Sequence, residues 1–162
     1  MGLDMYLYLR RSSSLGKWDK NYEQRKADYY PPELEGFKES LEIRDSLSKS
    51  EMFQVGYWRK ANAIHGWIIK NCANGEDHCQ NIYMDLEDVK KLRNAINRVL
   101  AKNDLAEELL PVQEGFFFGN QKYDEWYFKN LEYTKDLLDK IIVFVQDYKG
   151  DGYFDVIYNA SW

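Results

Sequence analysis

The opening segment, 2-GLDMYLYLRR-11, alternates Leu3, Met5, Leu7 and Leu9 with Asp4, Tyr6, Tyr8 and Arg10. A period of two places alternate side chains on opposite faces of a β-strand, so this strand has one face to bury. The closing segment, 153-YFDVIYNASW-162, alternates in its first half in the same way. Strands at both ends with helices between them imply an α+β domain whose terminal strands pair near the centre of the sheet.

Two stretches carry the pattern of covering helices. In 85-DLEDVKKLRNAINRVLAKN-103, Leu86, Val89, Leu92, Ile96 and Val99 fall on one face, with Asp85 placed as N-cap. From about residue 123 to 147, Tyr127, Leu131, Thr134, Leu138, Ile141 and Val145 make a second stripe. The β-inclined run 51–60 predicts a further strand, followed by a shorter helix over about 61–73, capped by Asn62 and ended by Asn74-Gly75. A short strand over 80–84 precedes Asp85. The expected architecture is one α+β domain over residues 1–162. Its small, mostly antiparallel sheet includes both terminal strands and packs against long helices at 85–102 and 123–147 and a shorter one at 61–73. Residues 12–50, rich in Ser and containing Pro31-Pro32, read as an irregular or partly helical insertion with a short helix near 22–27.

Charge and cysteine usage exclude several classes. A chain of 162 residues can bury a core without metal or disulfides, and two cysteines supply no disulfide framework. A net charge of −5 argues against broad binding to duplex nucleic acid, which rests on phosphate neutralisation. No run approaches the roughly 18 apolar residues of a membrane span. The charges of the N-terminal segment follow its apolar run, unlike a signal peptide, and Tyr6 breaks the myristoylation pattern that Gly2 would begin. The expectation is a soluble, cytoplasmic protein. Aromatic residues make up 16% of the chain, thirteen of them Tyr, which suits both core and contact surface.

The densest functional constellation is 57-YWRKANAIHGW-67. Trp58, Arg59, Lys60, His65 and Trp67 surround a predicted strand-to-helix junction, where backbone N–H groups favour anions and arginine adds a bidentate fork. The opposing reading makes Trp58 and Trp67 core and leaves Arg59 and Lys60 solvated. His65 is the acid–base candidate, since an unperturbed imidazole titrates near pH 6.5, yet no Ser or Cys stands at nucleophile spacing. His65, Cys72, His78 and Cys79 are zinc-type ligands, but their gaps match no familiar zinc spacing, so no metal and no cofactor are expected.

The segment 111-PVQEGFFFGNQKYDEWYFKN-130 offers two readings. As an extended strand, Phe116 and Phe118 share one face and Phe117 takes the other, with at least two of the three in the core. As a site, the Gly119-Asn120 turn forms a platform at the start of the following helix, with Asn120 and Tyr127 as lining residues. Asp124 and Glu125 there complement the helix dipole and discourage an anion at that spot. No Walker A loop, GxGxxG or paired-carboxylate pattern occurs.

The opening MGLDMY, the central YWRK and HGW, GFFFG followed by the Tyr123-Asp124 pair, and the terminal Ser161-Trp162 together resemble a family of small phage and prophage proteins. The resemblance spans the chain from end to end. The end Asn159-Ala160-Ser161-Trp162 departs from the Ser-Ser-Trp of many relatives. Some members carry the label phosphoglycerate kinase, but this chain is too short for that two-domain enzyme and lacks its nucleotide-binding loops. The resemblance implies a binding protein that acts on a host protein or a host defence signal, possible anti-defence activity included, without catalysis. The alternative is a small enzyme on a nucleotide or other phosphorylated ligand, with Arg59 and Lys60 holding the anion and His65 moving a proton.

Overall fold

The computed structural model describes residues 2–41, 45–115, 118–119 and 121–162. Four strands, β1 (Asp4–Gly16), β2 (Ser46–Arg59), β3 (Ile82–Met84) and β4 (Tyr153–Ser161), form one antiparallel sheet in the order β2-β1-β4-β3. The helices are α1 (Tyr22–Arg25), α2 (Lys38–Leu41), α3 (Asn62–Cys72), α4 (Leu86–Ala101), α5 (Ala106–Leu109) and α6 (Glu125–Asp147). The terminal strands do pair at the sheet centre, in a register from Asp4↔Ser161 to Ser12↔Tyr153.

The alternation of β1 decides which face is covered. Leu3, Met5, Leu7 and Leu9 are buried, together with their cross-strand neighbours Trp58 on β2 and Val156, Tyr158 and Ala160 on β4. Val89, Leu92, Ile96 and Val99 of α4 and Leu131, Leu138 and Ile141 of α6 complete this core. Asp85 caps α4 by accepting from the Asp88 N–H at 2.7 Å, and Asp124 caps α6 by accepting from Trp126 and Tyr127. The opposite face carries Tyr6, Tyr8, Tyr57, Tyr83 and Ile157; Ile157 is buried, whereas Tyr57 and Tyr83 are exposed.

Three expectations need correction. First, Ser12–Gly16 and Ser46–Ser50 are not part of an irregular insertion; they extend β1 and β2 into one long hairpin, with Ser12↔Ser50 and Ser14↔Ser48 in register. Serine is turn-prone in isolation, but here the paired strand supplies its hydrogen bonds, including Ser12 Oγ to Ser50 Oγ at 3.2 Å. Second, Asn62 is the first residue of α3, not its cap; the cap position is Ala61. The Asn62 side chain instead donates to the Phe118 carbonyl and accepts from Gln113 N–H, each at 3.0 Å, so it ties α3 to the 111–119 segment. Third, Gly115, Phe118 and Gly119 lie in no strand. Phe118 N–H donates to the Gly115 carbonyl, a bond between residues three apart that extended backbone does not make. Phe118 is half-buried against the core, whereas Phe116, Phe117 and Asn120 lie outside the described residues.

Candidate functional site

A cleft of about 370 Å³ opens where β2 runs into α3 and the first turns of α6 pass beside it. Arg59, Lys60, Asn62 and Ala63 line one side, and Asp124, Trp126, Tyr127 and Asn130 the other. The junction bends because Lys60 adopts a left-handed conformation at φ 61° between strand and helix. Its N–H still donates to the Leu3 carbonyl at 2.7 Å, so the turn remains anchored to the sheet. The Lys60 stem also packs on Gly119, where a Cβ would sit 3.0 Å from Lys60 Cβ and where φ is +85°. A glycine at 119 therefore serves both the turn and the close approach of this lysine.

Two cationic side chains, Arg59 and Lys60, line the cleft on the α3 side, opposite Asp124. Arg59 is 63% exposed, and its nearest carboxylate oxygen, on Asp4, is 3.9 Å from Nε. That Asp4 oxygen already accepts the Tyr57 hydroxyl at 2.5 Å, a bond that raises the Tyr57 pKa by favouring its protonated form. The N-terminal turn of α3 presents the positive end of its dipole, and Ala61 brings no side-chain cap to occupy it. Asp124 is the one carboxylate lining the cleft among the described residues, and it accepts from two α6 N–H groups. Tyr127 turns its hydroxyl away to the Leu110 carbonyl at 2.9 Å, where burial pushes its pKa up. The ring is what remains for the cleft. Trp126 is 71% exposed, with Lys129 Nζ 5.0 Å from its ring centroid.

Of the residues singled out in sequence, Arg59, Lys60 and Tyr127 converge on this cleft. Trp58 does not reach it: the indole is buried under α6 and donates to Thr134 Oγ1 at 2.8 Å. Trp67 is half-buried against the core.

His65 sits elsewhere, 2% exposed in the middle of a polar chain. Its Nε2 lies 2.9 Å from Asp77 Oδ2 and its Nδ1 lies 2.8 Å from the Tyr158 hydroxyl. A carboxylate only accepts, so the neutral imidazole donates from Nε2 and accepts the Tyr158 proton at Nδ1. The Trp162 indole N–H donates to the same Asp77 oxygen at 3.0 Å, and Phe118 meets the imidazole edge-on at 5.2 Å. Burial lowers the His65 pKa, against the opposing pull of Asp77, and burial raises that of Tyr158 well above the usual tyrosine range. The network joins α3, β4 and the C-terminal end. His65 lines a separate hollow with Gly66, Asp77, Gln113 and Phe118, whereas Arg59 lines the cleft described above.

The cysteines lie apart from both groups. Burial pushes the Cys72 thiol up to about 12, which keeps it protonated, and His78 and Cys79 are exposed. Among the described residues, no three His, Cys, Asp or Glu side chains come together as metal ligands. No helix among them is long and apolar enough to cross a membrane.

Sequence reasoning missed Trp126, Asn130 and Asp77. The first two stand four residues apart on α6, beside the apolar stripe, so their shared face was legible from helical spacing. Asp77 lies in the turn after α3 and carries no local signal. No protein-family model, curated protein or solved structure matches the chain.

Proposed function

We propose that the protein is a phage- or prophage-encoded binding protein, without catalysis, that holds a small anionic host defence signal of nucleotide type. One observation carries this reading: in a chain of net charge −5, Arg59, Lys60 and the start of α3 meet the Trp126 and Tyr127 rings around one cleft. Phosphate oxygens suit the cationic side and a base suits the aromatic side. The volume is that of a small-molecule site. The phage context rests on the sequence resemblance. The enzyme alternative needs His65 at the bound phosphate, and His65 faces Tyr158 and Asp77 instead.

Isothermal titration with a panel of mononucleotides and cyclic dinucleotides tests the proposal, with the recovered ligand analysed for turnover. At least one phosphorylated ligand should bind and be recovered unchanged. Arg59→Ala should weaken it at least tenfold while leaving folding stability within about 1 kcal/mol, because the side chain is largely solvated. Failure of every phosphorylated compound would overturn the ligand reading in favour of a host protein partner. A chemically altered ligand would overturn the absence of catalysis.

A further inference from the structure

The sheet has two unlike edges. At one, β3 is three residues long; at the other, β2 runs for fourteen. Such an edge presents a row of N–H and C=O groups that pair readily with another extended chain. Beyond the bulge at Val55, the edge is capped: Tyr57 N–H donates to the Tyr133 hydroxyl at 3.4 Å. Before the bulge, over Ser46–Gln54, no main-chain group has a partner on the outer side among the described residues. Two apolar side chains there stand in water: Met52 is 49% and Phe53 46% exposed.

We propose that the partner of this edge is a second copy of the chain, with the two β2 strands antiparallel about a two-fold axis at Ser50. The sequence of the edge selects both partner and register. The bulge-free stretch Ser46–Gln54 is centred on Ser50, so this axis pairs its whole length with itself. It sets Lys49 opposite Glu51 twice, Leu47 opposite Phe53 and Ser48 opposite Met52. Moving the axis by one residue sets Lys49 against Lys49 or Glu51 against Glu51, and like charges directly opposite are unfavourable. Arg11, already ion-paired with Glu51, leaves that carboxylate between two cations in the dimer. The product is a closed, isologous dimer with a continuous eight-stranded sheet and no long edge. A single strand pair is smaller than a standard interface of about 800 Å² per partner, so the dimer is concentration-dependent. The charges choose register more than strength.

Sedimentation velocity over a range from low to high micromolar protein tests this, with circular dichroism to confirm folding of each variant. The wild-type protein should shift from monomer to dimer with concentration. Lys49→Glu alone and Glu51→Lys alone should each weaken the dimer at least tenfold, and an equimolar mixture of the two should restore it. Ser50→Glu, at an exposed position, should also weaken it tenfold by opposing two carboxylates on the axis. It decides the matter if Glu51→Lys fails to fold for want of its Arg11 pair. Wild-type protein that stays monomeric at every concentration would overturn the proposal. So would a dimer indifferent to Lys49→Glu and Ser50→Glu, or charge variants that do not complement each other on mixing.

Discussion

At the scale of single residues, His65 is the titratable group whose surroundings say most about pH. Its burial disfavours the imidazolium, so the folded pKa lies below that of the unfolded chain. Between the two values the unfolded chain binds a proton that the folded chain refuses. The stability tied to neutral His65 is therefore fully present above about pH 6.5 and is lost as pH falls through the folded value. Urea unfolding at several pH values between about 8 and 5 should show a steeper acid loss for the wild type than for His65→Gln, whatever the variant's starting stability. Parallel curves would mean that other groups carry the acid loss. Backbone constraint gives a second test. Gly152 sits at φ +80°, and a Cβ there would run into the Ser12 carbonyl. Gly152→Ala should cost at least the roughly 1–3 kcal/mol of a left-handed non-glycine residue, read from chemical denaturation. A change near zero would show that the β4 entry turn relaxes freely. These residues also mark how far the site was legible. Arg59 and Lys60 stand next to each other in sequence, and their types already point to an anion. The Asp77 contact to His65 arises only when the turn after α3 folds back, and nothing local encodes that.

At the scale of elements, legibility followed the strength of the periodic pattern. The α4 and α6 stripes were readable almost residue by residue because burial on one helix face demands apolar side chains every three or four positions. Ile96 is fully buried and Leu138 nearly so, each inside the core beneath the sheet. Replacing either by Ala should cost about 2–5 kcal/mol in equilibrium unfolding, the usual range for a cavity in a packed core. A loss below about half a kcal/mol at both would mean that the two helices do not pack as described. The ends of the long hairpin were unreadable for the opposite reason. Ser12, Ser13 and Ser14 carry no apolar alternation, and their strand state comes from pairing with β2, a partner more than thirty residues away. Phe118 was misjudged by propensity: aromatic residues favour strands on average, but here the carbonyl of Phe118 accepts from Asn62 and its ring closes over His65.

At the scale of the whole molecule, most buried apolar residues among those described fall into two clusters of unequal size. The main core joins β1, β2, β3 and β4 to α3, α4 and α6. A satellite holds only Leu15, Tyr29, Tyr30 and Leu47, with Tyr22 packed against it, at the far end of the hairpin. Around it, α1 has no buried residue, and its tie to the rest is polar: Arg25 and the Tyr29 hydroxyl both reach Asp151. The Arg25–Asp151 pair is exposed and contributes little, so the segment over residues 22–37 rests on this small cluster, the Tyr29 bond and Lys49, which donates to the Asp28 carbonyl at 3.1 Å. Local opening there should cost far less than global unfolding. Native-state hydrogen exchange should therefore show amides of residues 22–37 exchanging orders of magnitude faster than those of Ile96 and Val99 in α4. Tyr29→Ala sharpens the test, because it removes a side chain that belongs to the satellite and not to the main cluster. It should erase the remaining protection over 22–37 and leave α4 protection nearly unchanged. If Tyr29→Ala lowered α4 protection by as much as that of the satellite, the two clusters would unfold as one unit, and the hairpin end would be integral to the core.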